Sequence, residues 1–73
     1  MDRIVSEQAI KACLIEIHAR LSKAAQIAKA AEACDVAGSA AEGVTVSMDI
    51  EQLIYEAGRL HDTASLLNRL AQE

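Results

Sequence analysis

Proline, phenylalanine and tryptophan are absent from these 73 residues, and Tyr55 is the single aromatic side chain. Without proline, nothing in the chain interrupts a helix by ring geometry. Without large aromatics, no side chain supplies the burial on which small cores usually depend. Cysteine occurs twice, at Cys13 and Cys34, with no CxxC spacing. Two thiols make neither a disulfide framework nor a structural zinc site, so both are read as free. On one helix they would stand 21 positions and about 31 Å apart, too far to bridge within a chain. Basic residues number seven against eleven acidic ones, for a net charge of −4. That balance argues against nucleic acid as the main partner, because phosphate affinity comes from Lys and Arg. No apolar run approaches the roughly 20 residues that cross a bilayer, and the opening Met1-Asp2-Arg3-Ile4-Val5-Ser6-Glu7 has no signal-like apolar stretch. The expectation is a cytoplasmic protein with no membrane partner. A glycine-rich phosphate loop, a Gly-x-Ser-x-Gly elbow and paired carboxylates are all lacking, so no enzyme and no cofactor is expected.

What the chain does have is alanine. Of its hydrophobic 52%, fifteen residues are Ala and only eighteen are Ile, Leu or Val. The apolar fraction is high while the apolar volume is small. Chains below roughly 70–80 residues rarely stabilise themselves by one core alone, and self-association is a common remedy.

Alanine in quantity, with no proline, favours helix almost throughout. The segment Gly38-Ser39-Ala40-Ala41-Glu42-Gly43 is the one break in periodicity and divides the chain into two arms. The first is predicted over about 7–37, with Ser6 as N-cap and Gly38 as the stop, Gly43 being the alternative stop. Its apolar positions Ile10, Leu14, Ile17, Leu21, Ala24, Ala28 and Ala31 alternate by four and three, a heptad seam. A connector over about 38–47 follows, with Val44-Thr45-Val46 read as loop across the closed end. The second arm is predicted over about 48–72, with Asp49 and Glu51 in its first turn. Its seam is Ile50, Leu53, Ala57, Leu60, Ala64, Leu67 and Ala71. Glu7–Lys11, Glu16–Arg20, Glu56–Arg59 and Arg69–Glu73 are spaced as surface ion pairs.

Two heptad arms on a short connector imply an all-α, antiparallel two-helix hairpin forming one domain. Matching the seams sets Ala28 near Ala57, Leu21 near Ala64 and Ile17 near Leu67. Cys13, Ile27 and Cys34 widen the first apolar stripe, and Ile54 and Leu70 widen the second. A stripe wider than one neighbour requires implies a second neighbour, most simply a copy closing a four-helix bundle by two-fold symmetry. The expected core and oligomer interface is therefore Ile10, Leu14, Ile17, Leu21, Ile27, Ile50, Leu53, Ile54, Leu60, Leu67 and Leu70. Ile15, Leu66 and Tyr55 lie off the seams as a candidate patch for an unidentified protein partner. His18 and His61 are the remaining candidates for chemistry. They fall just beyond Ile17 and Leu60, with Asn68 along the same edge. No His-x3-His or Glu-x-x-His spacing accompanies them, so no metal is expected and a polar boundary seam is the preferred reading.

These features lead to a non-enzymatic protein–protein interaction module: a small oligomeric helical adaptor, regulator or chaperone-like protein. In size and hairpin-dimer outline the chain is similar to the Rop-like architecture and to the small helical-hairpin chaperones of secretion systems. The likeness is one of shape, with no shared motif. The Rop-like outline implies an RNA-binding hairpin dimer as the alternative. Against it, Lys11 and Lys29 stand nearly opposite Arg20 and Lys23 on the first arm, and no aromatic is placed to stack on bases. A metal-linked bundle through His18 and His61 is the third reading.

Overall fold

Asp2 starts the first helix, four residues ahead of the expected Ser6. In the computed structural model, which describes residues 2–72, the Asp2 carboxylate accepts hydrogen bonds from the amides of Ile4, at 2.8 Å, and Val5, at 3.4 Å. These are two of the orphan donors that every helix start leaves open. Ser6 instead lies inside the helix, fully buried, with its Oγ donating back to the Asp2 carbonyl at 2.9 Å. Helix α1 runs Arg3–Val36.

The helix stops where Gly38 takes φ +94°, a conformation that side chains with a Cβ rarely adopt. The Gly38 amide donates to the Asp35 carbonyl and the Ser39 amide to the Cys34 carbonyl, both at 2.9 Å, which is the Schellman closure. Helix α2 then begins at once and runs Ala40–Gln72. Its opening is set by Ser39, whose carbonyl accepts from the Gly43 amide at 3.1 Å, with Glu42 in the first turn. The connector is thus three residues, Ala37 to Ser39, and not the expected ten. Val44-Thr45-Val46 is helix, and Asp49 and Glu51 lie well inside α2. Ala40 and Ala41 directly after Ser39 make helix cheaper than loop, and the β-branched residues follow their neighbours. The fold is all-α: two long helices packed against each other as a hairpin of 54 × 14 × 12 Å.

Gly43 fixes the register. A Cβ built there would stand 2.7 Å from the Ala31 carbonyl oxygen and 3.7 Å from Cys34 Cβ, so the α2 backbone passes directly against α1. From that crossing both helices run back at about 1.5 Å per residue. Cys34 is then level with Gly43, Ala31 with Val46, Ile27 with Ile50 and Ala24 with Leu53. Further along, Arg20 is level with Ala57, Ile17 with Leu60, Cys13 with Ala64 and Ile10 with Leu67. The Arg20–Glu56 hydrogen bond, at 3.2 Å, and the groove shared by Glu7, Ile10, Asn68 and Ala71 at the open end agree with this alignment. The shorter connector moves the whole register: Ile17 meets the level of Leu60, one heptad from the expected Leu67.

The seam of α2 is the expected one, extended back to Gly43, with Ala57 and Ala64 buried and Ile50, Leu53, Leu60 and Leu67 half-buried. The seam of α1 is turned by one position. Ile10, Ile17, Ala24 and Ala31 face α2 as expected, but their partners in the stripe are Ser6, Cys13, Arg20, Ile27 and Cys34. Leu14 and Leu21 stand outside the hairpin seam, 55% and 44% exposed. Arg20 occupies the place that Leu21 was expected to fill.

Candidate interaction face

A two-stranded antiparallel hairpin has two broad sides, and on this chain they differ in chemistry. The first side is charged. From its position in the stripe the Arg20 side chain leans outward, Nε donating to Glu56 Oε1 at 3.2 Å and Nη1 to Glu16 Oε2 at 2.9 Å. The guanidinium head reaches its carboxylate partners while the side chain as a whole stays half-buried. The Gln52 amide also donates to Glu56, at 3.2 Å. That bond, with Arg20 and Lys23 nearby, holds the Glu56 carboxyl below its ordinary range against an opposing desolvation effect. Helical spacing sets Asp49 and Arg59 on the same side. Of the expected surface pairs, Glu16–Arg20 forms; Glu7 pairs with Arg3 at 3.2 Å, and Arg69–Glu73 falls outside the described residues.

The opposite side carries the side chains that the turned seam leaves out. Leu14 and Leu21 of α1 and Ile54 of α2, the last 50% exposed, line it at nearby levels. Between Lys11 and Lys29, the α1 residues on this side are Leu14, His18, Leu21, Ala25 and Ala28. Between Glu51 and Arg69, those of α2 are Ile54, Gly58, His61, Ser65 and Asn68. None of them is charged with His neutral. Here Leu14, Leu21 and Ile54 depart from the other expected core residues: Ile10, Ile17, Ile27, Ile50, Leu53, Leu60, Leu67 and Leu70 are half-buried.

The histidines also change place. The expected alignment sets His18 beside Asn68 and His61 two turns away. The observed register brings His18 and His61 to nearly the same level on the uncharged side, both exposed, while Asn68 joins Arg3, Glu7 and Ile10 at the open end. The neighbours of both histidines at three and four residues along their own helices are uncharged. Among the described residues, no group of three or more His, Cys, Asp or Glu side chains is placed to hold a metal ion.

Ile15, Tyr55 and Leu66 are exposed but do not form one patch. Ile15 and Tyr55 fall on the outward sides of their own helices, which point away from each other in any two-helix hairpin, and Leu66 falls toward the charged side. Tyr55 shares a shallow depression only with Met48, Glu51 and Gln52 of its own helix. Cys13 is buried against the level of Ala64, and Cys34 lies near the closed end beside Gly43. Among the described residues, no helix is long and apolar enough to cross a membrane.

The uncharged side was legible only indirectly. The excess width of the first apolar stripe pointed to a second neighbour, but the edge of the stripe that α2 covers is decided by the register. Comparison with known protein families, with curated proteins and with solved structures finds no match to this chain.

Proposed function

We propose that this chain is a non-enzymatic protein–protein interaction module of the cytoplasm: a helical hairpin that completes its core by pairing with a copy of itself into a four-helix bundle. In that form it serves as an adaptor, regulator or chaperone-like partner. One observation carries the reading. The buried residues among those described are Ser6, Cys13, Ala24, Gly43, Ala57 and Ala64, so nothing larger than a cysteine is buried. Leu14, Leu21 and Ile54 meanwhile stand in water. Fully burying one Leu or Ile contributes roughly 1.5–3 kcal/mol, and the isolated hairpin obtains that from none of these residues. Association supplies the missing burial, as in other bundles built from hairpins.

The test is sedimentation equilibrium of the full chain at micromolar concentration. A species of twice the chain mass, about 7.8 kDa per chain, supports the reading. A folded, helical monomer up to about 100 μM removes it, since obligate small bundles associate well below that level.

A further inference from the structure

We infer that the copy docks on the uncharged side marked by Leu14, Leu21 and Ile54, about a two-fold axis parallel to the helices, with Gly58 as the notch that receives the partner's Leu21. This rests on the self-association reading and specifies which face carries it.

Three observations converge on this side. The first is area. A hairpin 54 Å long and two helices wide presents, charged ends included, a broad side on the order of 1,000 Å², against the roughly 800 Å² per partner that a stable interface buries. The second is charge. Pairing the other side would strip water from Lys23 and from Glu16, Arg20 and Glu56, whose ion pairs are already satisfied within the chain. Pairing the Leu14–Leu21–Ile54 side desolvates no formal charge along its central stretch.

The third is shape. A two-fold axis parallel to the helices keeps every residue at its own height and lays α1 over the partner's α2, so all neighbouring helices run antiparallel. On that height scale Leu21 falls between Gly58 and Ile54, and Leu14 falls between Ser65 and His61. Leu21 thus meets the small Gly58 and packs beside Ile54, and Leu14 meets two polar positions, a mix of small and large that bundle packing uses. Gly58 gains its explanation here. A Cβ added there would meet nothing within 4 Å inside the hairpin, yet glycine in mid-helix costs up to about 1 kcal/mol relative to alanine. In the paired form the absent side chain is the space that Leu21 of the second copy fills.

The experiment compares five full-length chains by sedimentation equilibrium and far-UV circular dichroism: the natural sequence, Leu21→Gln, Gly58→Gln, Ile15→Gln and Leu66→Gln. The inference predicts that Leu21→Gln and Gly58→Gln each weaken the dimer at least tenfold, while Ile15→Gln and Leu66→Gln leave its dissociation constant within about twofold. Gly58→Gln guards against misfolding, because glutamine is the better helix former and in open space would strengthen the hairpin. A dimer that survives Leu21→Gln and Gly58→Gln but is lost in Ile15→Gln or Leu66→Gln overturns the face and keeps the self-association reading. A natural chain that is monomeric overturns both.

Discussion

Gly38, Gly43 and Glu56 are the residues whose roles depend most on their surroundings. Gly38 has open space around it, but its φ of +94° strains any side chain. Gly38→Ala is expected to cost about 1–2 kcal/mol by urea denaturation, within the range for a non-glycine residue held in that region. Gly43 has ordinary helical backbone and fails for the other reason: a methyl group would meet the Ala31 carbonyl oxygen at 2.7 Å, and that backbone cannot swing aside. Gly43→Ala is expected to destabilise by about 1–3 kcal/mol, the usual overpacking range, and to spread the closed end of the hairpin. Glu56 gives a pH signature. Its carboxyl is held below the ordinary range by Gln52 first and then by Arg20 and Lys23, so the folded state binds its proton more weakly than the unfolded state. Its contribution is complete above the unfolded carboxylate range and is lost as pH falls through the folded value. An NMR titration is expected to place the Glu56 midpoint below those of carboxylates without such partners. Glu56→Gln should make stability less sensitive to acid, and an unchanged acid profile would contradict the assignment.

At the scale of the helices, the existence, order and antiparallel sense of both were legible in the sequence, because alanine without proline leaves little else. The α2 seam was legible residue by residue: Ile50, Leu53, Leu60 and Leu67 alternate with Ala57, Ala64 and Ala71 and leave one choice. On α1 the stripe through Ile10, Ile17 and Ala24 is flanked on both sides by usable residues. Hydrophobicity favours Leu14 and Leu21, while the fold takes Cys13, Arg20 and Ile27. An arginine reads as solvent-facing; its i,i+4 spacing to Glu16 is legible, but its reach across the hairpin to Glu56 depends on the register. The connector failed for a similar reason, since Gly43 reads as a helix stop when it is a crossing point. Two measurements check this level. Asp2→Ala is expected to cost about 1 kcal/mol, the usual value of a carboxylate N-cap. Hydrogen exchange is expected to show the amides of Val44 to Ser47 protected as helix; exchange at loop rates would restore the longer connector.

For the molecule as a whole, the candidate face was half legible. The width of the apolar stripes reads as room for a second neighbour, and Leu14, Leu21 and Ile54 are among the residues expected to meet it. Which edge of each stripe remains free depends on a register that only the three-residue connector and the Gly43 crossing define. Register also decides the histidines, bringing His18 and His61 to one level on the uncharged side, and it separates Ile15, Tyr55 and Leu66 onto different sides. The result is a hairpin whose large apolar residues divide between a half-buried seam, the broad uncharged side with Leu14, Leu21 and Ile54, and outward positions such as Ile15 and Tyr55. On the proposed pairing its stability belongs to the two chains together, and mass action should be visible in it. The most direct measurement is the melting temperature of the natural chain by circular dichroism from about 1 to 100 μM. The account predicts a rise of several degrees across that range, as dimer-linked folding requires. A sharp, cooperative melt at one temperature throughout, with the chain monomeric, would contradict it.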